Sequence, residues 1–207
     1  MNAPAIYLVD DDPSVVRAVS RLLGVCGYDV RAFVSPSEFL EQHDPALPGC
    51  AVLDVAMPGI TGLAVQKALA GGGAERQIVF ITGEGDVPTS VNAMRAGAVD
   101  FITKPFDAAQ LLRAVETAIE RDRAAREARA ATSAVEARLG SLTLRERQVL
   151  ELVIEGRLNK QIAADLGIAE KTVKVHRGHM MEKMNVRSVA ELVRATSARP
   201  AFNASEP

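Results

Sequence analysis

The 207-residue sequence has no tryptophan, 4% aromatic residues and only two cysteines. Cys26 and Cys50 stand at no metal-binding spacing, which excludes a disulfide framework and a zinc module. Both read as small buried apolar residues of a reduced protein. No apolar run exceeds about six residues, far short of the roughly 20 that a membrane helix needs. The opening stretch, MNAPAIYLVDDD, has no basic segment and no apolar stretch of leader length, so the expected compartment is the cytoplasm. Internal repeats are missing too. A strong overall charge is also lacking, at −2, but the balance is uneven. Residues 1–119 hold 8 basic against 14 acidic side chains, and residues 141–207 hold 11 against 8. An acidic front and a basic back suggest two domains with different partners, the second facing a polyanion.

What is present is, first, an alternation of short β-type runs with helical patterns. Strands are expected at Ala5–Val9, Tyr28–Val34, Cys50–Leu53, Ile78–Ile81 and Val99–Ile102. Helices fill the intervals, one opening at Asp12-Pro13 and one at the capping box Ser35-Pro36-Ser37-Glu38. Stretches near 61–70, 86–96 and from Asp107 onward read as further helices. Five β–α units in about 120 residues imply a doubly wound parallel sheet with helices on both faces. From Asp107 the helical pattern runs on through an Ala/Arg/Glu-rich segment to Gly140-Ser141. Asp122 and Arg129 disfavour a coiled coil there, so a long exposed joining helix is expected. Two more capping boxes, Thr143–Glu146 and Ser188–Glu191, frame four helices near 144–155, 160–166, 170–184 and 189–196, with Asn159 and Gly167 as punctuation. The expected domains are 1–119, a helical linker at 120–140, a small all-α domain at 141–200 and a disordered tail at 201–207.

In an open parallel sheet, ligands bind beyond the carboxyl ends of the strands, where the strand order reverses. Asp10 and Asp11 end the first strand, Asp54 the third and Thr82 the fourth, and Lys104 follows the fifth. Singly, each also reads as an ordinary loop residue or helix cap. Together they converge three carboxylates on one rim, which repel one another unless a divalent cation joins them. Hard oxygens suit Mg²⁺. One division of labour makes Asp54 a nucleophile toward a phosphoryl donor. Mg²⁺ and the Lys104 ammonium then neutralise the transferring oxygens, and Thr82 donates to one of them.

The segments VDDD at 9–12, DVAMPGITG at 54–62, FITGEGD at 80–86 and AGAVDFITKPF at 96–106 resemble the receiver domain of the response-regulator superfamily, a flavodoxin-like fold. The resemblance singles out Asp54 as the phosphorylated residue. It implies that Asp10 and Asp11 hold Mg²⁺, with Asp11, Asp54 and the Ala56 carbonyl as direct ligands. It further implies that Thr82 and Phe101 form a switch pair, Phe101 otherwise reading as a core aromatic on its strand.

Asn159–Val175 reads as helix, tight turn, helix, with Ala163 and Gly167 small enough to let the two helices approach. Ile162, Leu166, Ile168 and Val173 form the inner face, and Arg177, Met180 and Met184 fall within about 40° of Val173 on a helical wheel. Lys171, Lys174, Val175, Gly178 and Glu182 face outward. Lys174 and Val175 suit base edges in a major groove, while Lys160 and Thr172 suit phosphates. The same wheel also fits any small helical bundle with solvated lysines. LTLRERQVLELVIEG, NKQIAADLGIAEKTVKVHRGHMMEKMNVRS and AELV resemble the LuxR-type helix-turn-helix. With the receiver, the chain is similar to the FixJ/NarL family of transcription regulators and closest in appearance to FixJ-like members. That resemblance implies a sensor histidine kinase as phosphodonor, a homodimer on phosphorylation, inverted DNA half-sites, RNA polymerase as a partner, no membrane and no enzymatic turnover. Ala169, where the family often has serine, leaves the recognition helix without a side-chain cap, and Gly178 removes one outward side chain. Two other readings are a phosphatase with Asp10 as nucleophile, since IYLVDDD also fits an Asp-x-Asp strand end, and a DNA-binding protein with a vestigial receiver.

Overall fold

A computed structural model describes residues 3–71, 76–83 and 87–197. Its contacts divide into two compact units, the first ending at Arg126 and the second starting at Glu127. The expected tail at 201–207 lies outside the described residues.

The first unit alternates β1 (Ala5–Val9), α1 (Pro13–Val25), β2 (Asp29–Phe33), α2 (Pro36–Gln42), β3 (Gly49–Asp54), α3 (Gly62–Ala70), β4 (Gln77–Thr82), α4 (Val87–Arg95) and β5 (Asp100–Thr103), and then enters α5 (Ala108–Gly140). The strands are all parallel, in the order β2-β1-β3-β4-β5. This is the expected doubly wound, flavodoxin-like sheet, with its reversal between β1 and β3. Alternate residues feed two cores. Tyr7, Val9, Leu53 and Phe80 pack on one face, and Ile6, Leu8, Val52 and Ile81 on the other. Every residue of β1 and β3 is buried, which is why both read as near-continuous apolar runs. The helix starts follow the caps: Asp12 accepts from the Ser14 N–H at 2.8 Å, and Ser35 from the Glu38 N–H at 3.4 Å. Position 86, the expected start of the fourth helix, lies outside the described residues. Cys50 is buried as expected, but Cys26 is exposed. It follows the end of α1, on a turn into Gly27, whose φ is 86°.

At the amino ends of the strands a polar network ties down the α2–β3 loop. Arg76, 6% exposed, donates to His43 Nε2 and to the carbonyls of Asp44, Leu47 and Gly49. Its guanidinium also lies 5.1 Å from the Tyr7 ring centroid. Burial, and then the neighbouring Arg76 charge, push the His43 imidazole down to about 4, so the ring is a neutral acceptor. The segment expected to be an exposed helix is not exposed throughout. Asp122, 2% exposed, accepts from the Gly49 N–H at 2.9 Å and from Arg126 Nε at 2.7 Å. Arg126 donates onward to the carbonyls of Pro45, Ala46 and Leu47.

The second unit holds α6 (Leu144–Ile154), α7 (Asn159–Leu166), α8 (Glu170–Lys183) and α9 (Val189–Ser197). Val149, Leu150, Ile162, Val173, Met180 and Leu192 form its core. The Thr143 capping box is closed on both sides, at 3.3 Å and 2.8 Å. The Ser188 box is shifted: Ser188 accepts from the Glu191 N–H, but Glu191 reaches back to the Arg187 N–H instead of its own cap. Asn159 is the first residue of α7 and not its cap; Leu158 precedes the helix, its N–H satisfied by the Gln161 side chain. Gly167 is needed for its φ of 65° at the end of α7. A Cβ there would meet nothing, so close helix approach is not its reason.

Glu146 joins the cap to the bundle by accepting from Lys183 Nζ at 2.7 Å. Those hydrogen bonds, Lys183 first, hold its carboxyl down at about 2, against an ordinary 4.5. The folded state therefore binds this proton less readily than the unfolded chain. The resulting stabilisation is complete above about pH 4.5 and disappears as the pH falls toward 2. We expect acid unfolding of this unit, followed by circular dichroism from pH 6 to pH 2, to lose part of its pH dependence in Glu146→Gln. A variant with the wild-type profile would show that Glu146 carries none of it.

Candidate functional site

The strand order places the carboxyl ends of β1 and β3 side by side at the sheet reversal. Asp10 follows β1 and is 1% exposed; Asp54 closes β3 and is 4% exposed. Lys104, just beyond β5, donates from Nζ to Asp10 Oδ2 at 2.6 Å and to Asp54 Oδ1 at 2.8 Å. The remaining oxygens are held by backbone: Asp10 Oδ1 accepts from the Asp12 N–H at 3.0 Å and Asp54 Oδ2 from the Ala56 N–H at 2.7 Å. Burial pushes the Asp10 carboxyl up, and the bond from Lys104 counters it only in part. Burial works against the Lys104 ammonium as well, but its bonds to Asp10 and Asp54 outweigh that and hold it above its ordinary value.

Thr82 ends β4 fully buried, and the Lys104 N–H donates to its carbonyl at 2.7 Å, fixing the start of the lysine loop. The Lys104–Pro105 peptide is cis. Phe101 pairs with Phe80 across β4 and β5, with ring centroids 6.2 Å apart, and is half-buried against the core on that face. Asp11 is exposed on the rim and Ala56 is exposed in the β3–α3 loop. The side chains thus bring Asp10, Asp54 and Lys104 into direct contact, while Asp11 stands outside that triad. Among the described residues no three acidic, imidazole or thiol groups are gathered closely enough to hold a metal ion as they stand. The donor set nevertheless fits a hard dication. Three carboxylates against one ammonium leave the rim acidic, and every available ligand is an oxygen.

Gly62, the last residue of the DVAMPGITG segment, matters to the site through its backbone and carries no side-chain signal. A Cβ at Gly62 would lie 2.2 Å from the Asp54 carbonyl oxygen, so only glycine lets α3 start against the end of β3. Its N–H donates to the Val55 carbonyl at 3.0 Å, closing the loop that carries Ala56.

In the second unit, Ile162, Val173, Met180 and Met184 are buried and Leu166 and Ile168 half-buried, as the wheel requires. Lys160, Lys171, Thr172, Lys174 and Val175 are all exposed. Lys174 pairs with Glu170 one turn earlier at 3.2 Å. Ala169 precedes α8 without a side-chain cap bond, and a Cβ on Gly178 would project into open space. Arg177 is only half-buried and donates to Asn159 Oδ1 at 2.8 Å, a link between the two helices that the wheel does not reveal.

Two family models match the chain. The response regulator receiver domain covers residues 6–116, and the bacterial regulatory proteins of the luxR family cover residues 140–196. Among curated relatives, Nodulation protein W of Bradyrhizobium diazoefficiens is 46% identical over 189 residues, 91% of this chain and 83% of that protein. Transcriptional regulatory protein FixJ of Azorhizobium caulinodans is 43% identical over 189 residues, 91% of this chain and 90% of that one. Among solved structures, the response regulator StyR is similar with a TM-score of 0.88 at 45% identity, covering 96% of this chain and all of that one. Among the described residues, no helix is long and apolar enough to cross a membrane.

Proposed function

The chain belongs to the response regulators that join a receiver domain to a LuxR-type DNA-binding domain, and from that premise we propose that Asp54 is its phosphoryl acceptor. The observation that carries the proposal is the single ammonium of Lys104 bridging Asp10 and Asp54 at the sheet reversal. In the proposed reaction an Asp54 oxygen attacks phosphorus in line. The bond from phosphorus to the donor breaks, and its electron pair leaves with the donor atom, a histidine nitrogen of a sensor kinase. Lys104 sits where the transferred oxygens gain charge, and Thr82 is the hydroxyl that closes on them, with Phe101 following on the same face. Asp11, Asp54 and the Ala56 carbonyl would hold Mg²⁺, with Asp10 behind them. When bound, that ion supplies charge neutralisation of the phosphoryl oxygens.

The output is transcriptional regulation through DNA. Lys174 and Val175 read base edges from the outward face of α8, and Lys160, Lys171 and Thr172 hold the backbone. The domains in this reading are a receiver at 1–119, a helical linker at 120–140 and the DNA-binding domain at 141–200, working in the cytoplasm. The phosphorylated form is a homodimer on inverted half-sites and engages RNA polymerase. Sedimentation with Mg²⁺ and acetyl phosphate tests this reading: a shift from monomer to dimer supports it, and an unchanged species overturns it.

The exposed Lys174–Glu170 pair is worth only about 0.3–0.5 kcal/mol, little enough to yield to a base. Lys174→Ala is therefore expected to weaken binding to a selected site by about 1–3 kcal/mol. Mobility shifts against selected and scrambled duplexes measure it, and undiminished selectivity would move the reading face elsewhere.

A further inference from the structure

We infer that Arg177 is a further phosphate-contacting residue of the DNA interface, aimed by Asn159; the inference rests on α7 and α8 being the DNA-reading pair. A helical wheel puts Arg177 on the inner side of α8, one turn from the fully buried Val173 and Met180. A guanidinium there is expected to find a carboxylate, because a half-buried cation is costly without a counter-charge. Even the exposed Lys183 on the same helix has such a partner, in Glu146. Arg177 does not. Among the described residues no ion pair includes it, and its side-chain bond runs to the neutral amide oxygen of Asn159 at 2.8 Å.

An amide acceptor orients a guanidinium without cancelling its charge. One of five donors is then committed and the remaining fork keeps its full positive charge. The bond also fixes where the fork sits, at the first residue of α7, directly before the exposed Lys160. In a helix-turn-helix the start of the first helix lies over the sugar–phosphate backbone beside the groove that the second helix enters. A fork held there suits the paired oxygens of a phosphate, which a lysine meets only as a point charge. The missing counter-ion is supplied by DNA. Such a contact adds affinity and sets register without choosing sequence.

The alternative is a clasp that merely joins α7 to α8, and the salt dependence of binding separates the two. The full chain is titrated against a fluorescein-labelled mixed-sequence duplex over a series of salt concentrations. Melting temperatures are taken in parallel. Arg177→Gln is expected to bind roughly tenfold more weakly, with the slope of log K against log salt smaller by about 1. Arg177→Lys should restore the slope. A folded Arg177→Gln with the wild-type slope overturns the inference. Should Arg177→Gln fail to fold, Asn159→Asp decides. It gives the guanidinium a carboxylate, so the melting temperature should hold while DNA affinity falls, and unchanged affinity overturns the inference. Wild-type protein showing no salt-dependent binding would instead remove the reading of α7–α8 on which it rests.

Discussion

Asp54→Asn is expected to abolish phosphorylation by acetyl phosphate, leaving a single unshifted band on Phos-tag electrophoresis where the wild type gives two. The amide keeps the size of the side chain, and its oxygen can still accept from the Ala56 N–H, so the fold is retained. What it lacks is a carboxylate able to form an acyl phosphate. The effect is all-or-none, because the proposed reaction runs through the Asp54 carboxylate alone. The same variant should no longer respond to acetyl phosphate in dimerisation or DNA affinity. Asp10→Asn separates the readings. A phosphatase acting through Asp10 would lose turnover of a phosphomonoester in Asp10→Asn and keep it in Asp54→Asn. A vestigial receiver would make wild type and Asp54→Asn indistinguishable on DNA.

The largest effect on stability is expected from Arg76→Ala. Removing this side chain takes the donor from His43 Nε2 and one donor each from the carbonyls of Asp44, Leu47 and Gly49, of which Asp44 keeps the Tyr7 hydroxyl and Leu47 keeps Arg126. Each buried acceptor that loses its donor costs about 1–3 kcal/mol, and with the packing of the guanidinium on Tyr7 also lost the total is about 3–5 kcal/mol. The first unit should melt lower by more than about 10 °C in calorimetry, with the second unit unchanged. A drop of only a degree or two would mean that the α2–β3 loop is held by Asp122 and Arg126 alone. Gly49 cannot compensate by adjusting. Its φ is 137°, and a Cβ would stand 1.9 Å from the Ala5 carbonyl oxygen.

The candidate site was legible because its residues are local signals: Asp10, Asp54 and Thr82 are each the first polar group after an apolar run, and Lys104 follows β5 directly. Which of them touch was not legible. Lys104 meets Asp10 across 94 residues of sequence, and only the strand order brings them together. Asp11 resembles its neighbours in type but remains on the rim. The Arg76 network left no sequence signal at all, since it joins loops whose carbonyls carry no residue identity. Asp122 is hidden in the sequence for the same reason. On a helix it looks like one more solvated charge, and its partner is a backbone N–H 73 residues away. In the second domain the wheel placed the core correctly, but it has no term for a long side chain that leaves the inner face. Arg177 does so to reach Asn159. Gly167 reads correctly as helix punctuation, but close helix approach is not its role, because its left-handed backbone is invisible in a spacing pattern.

The central claim is that Asp54 carries the phosphoryl group to which the DNA-binding domain responds. The most direct measurement is borohydride reduction of the protein after treatment with acetyl phosphate and Mg²⁺, followed by peptide mass spectrometry. An acyl phosphate at Asp54 predicts homoserine at position 54 alone, and none when Mg²⁺ is chelated. Homoserine at Asp10 or Asp11 with Asp54 intact would contradict the account.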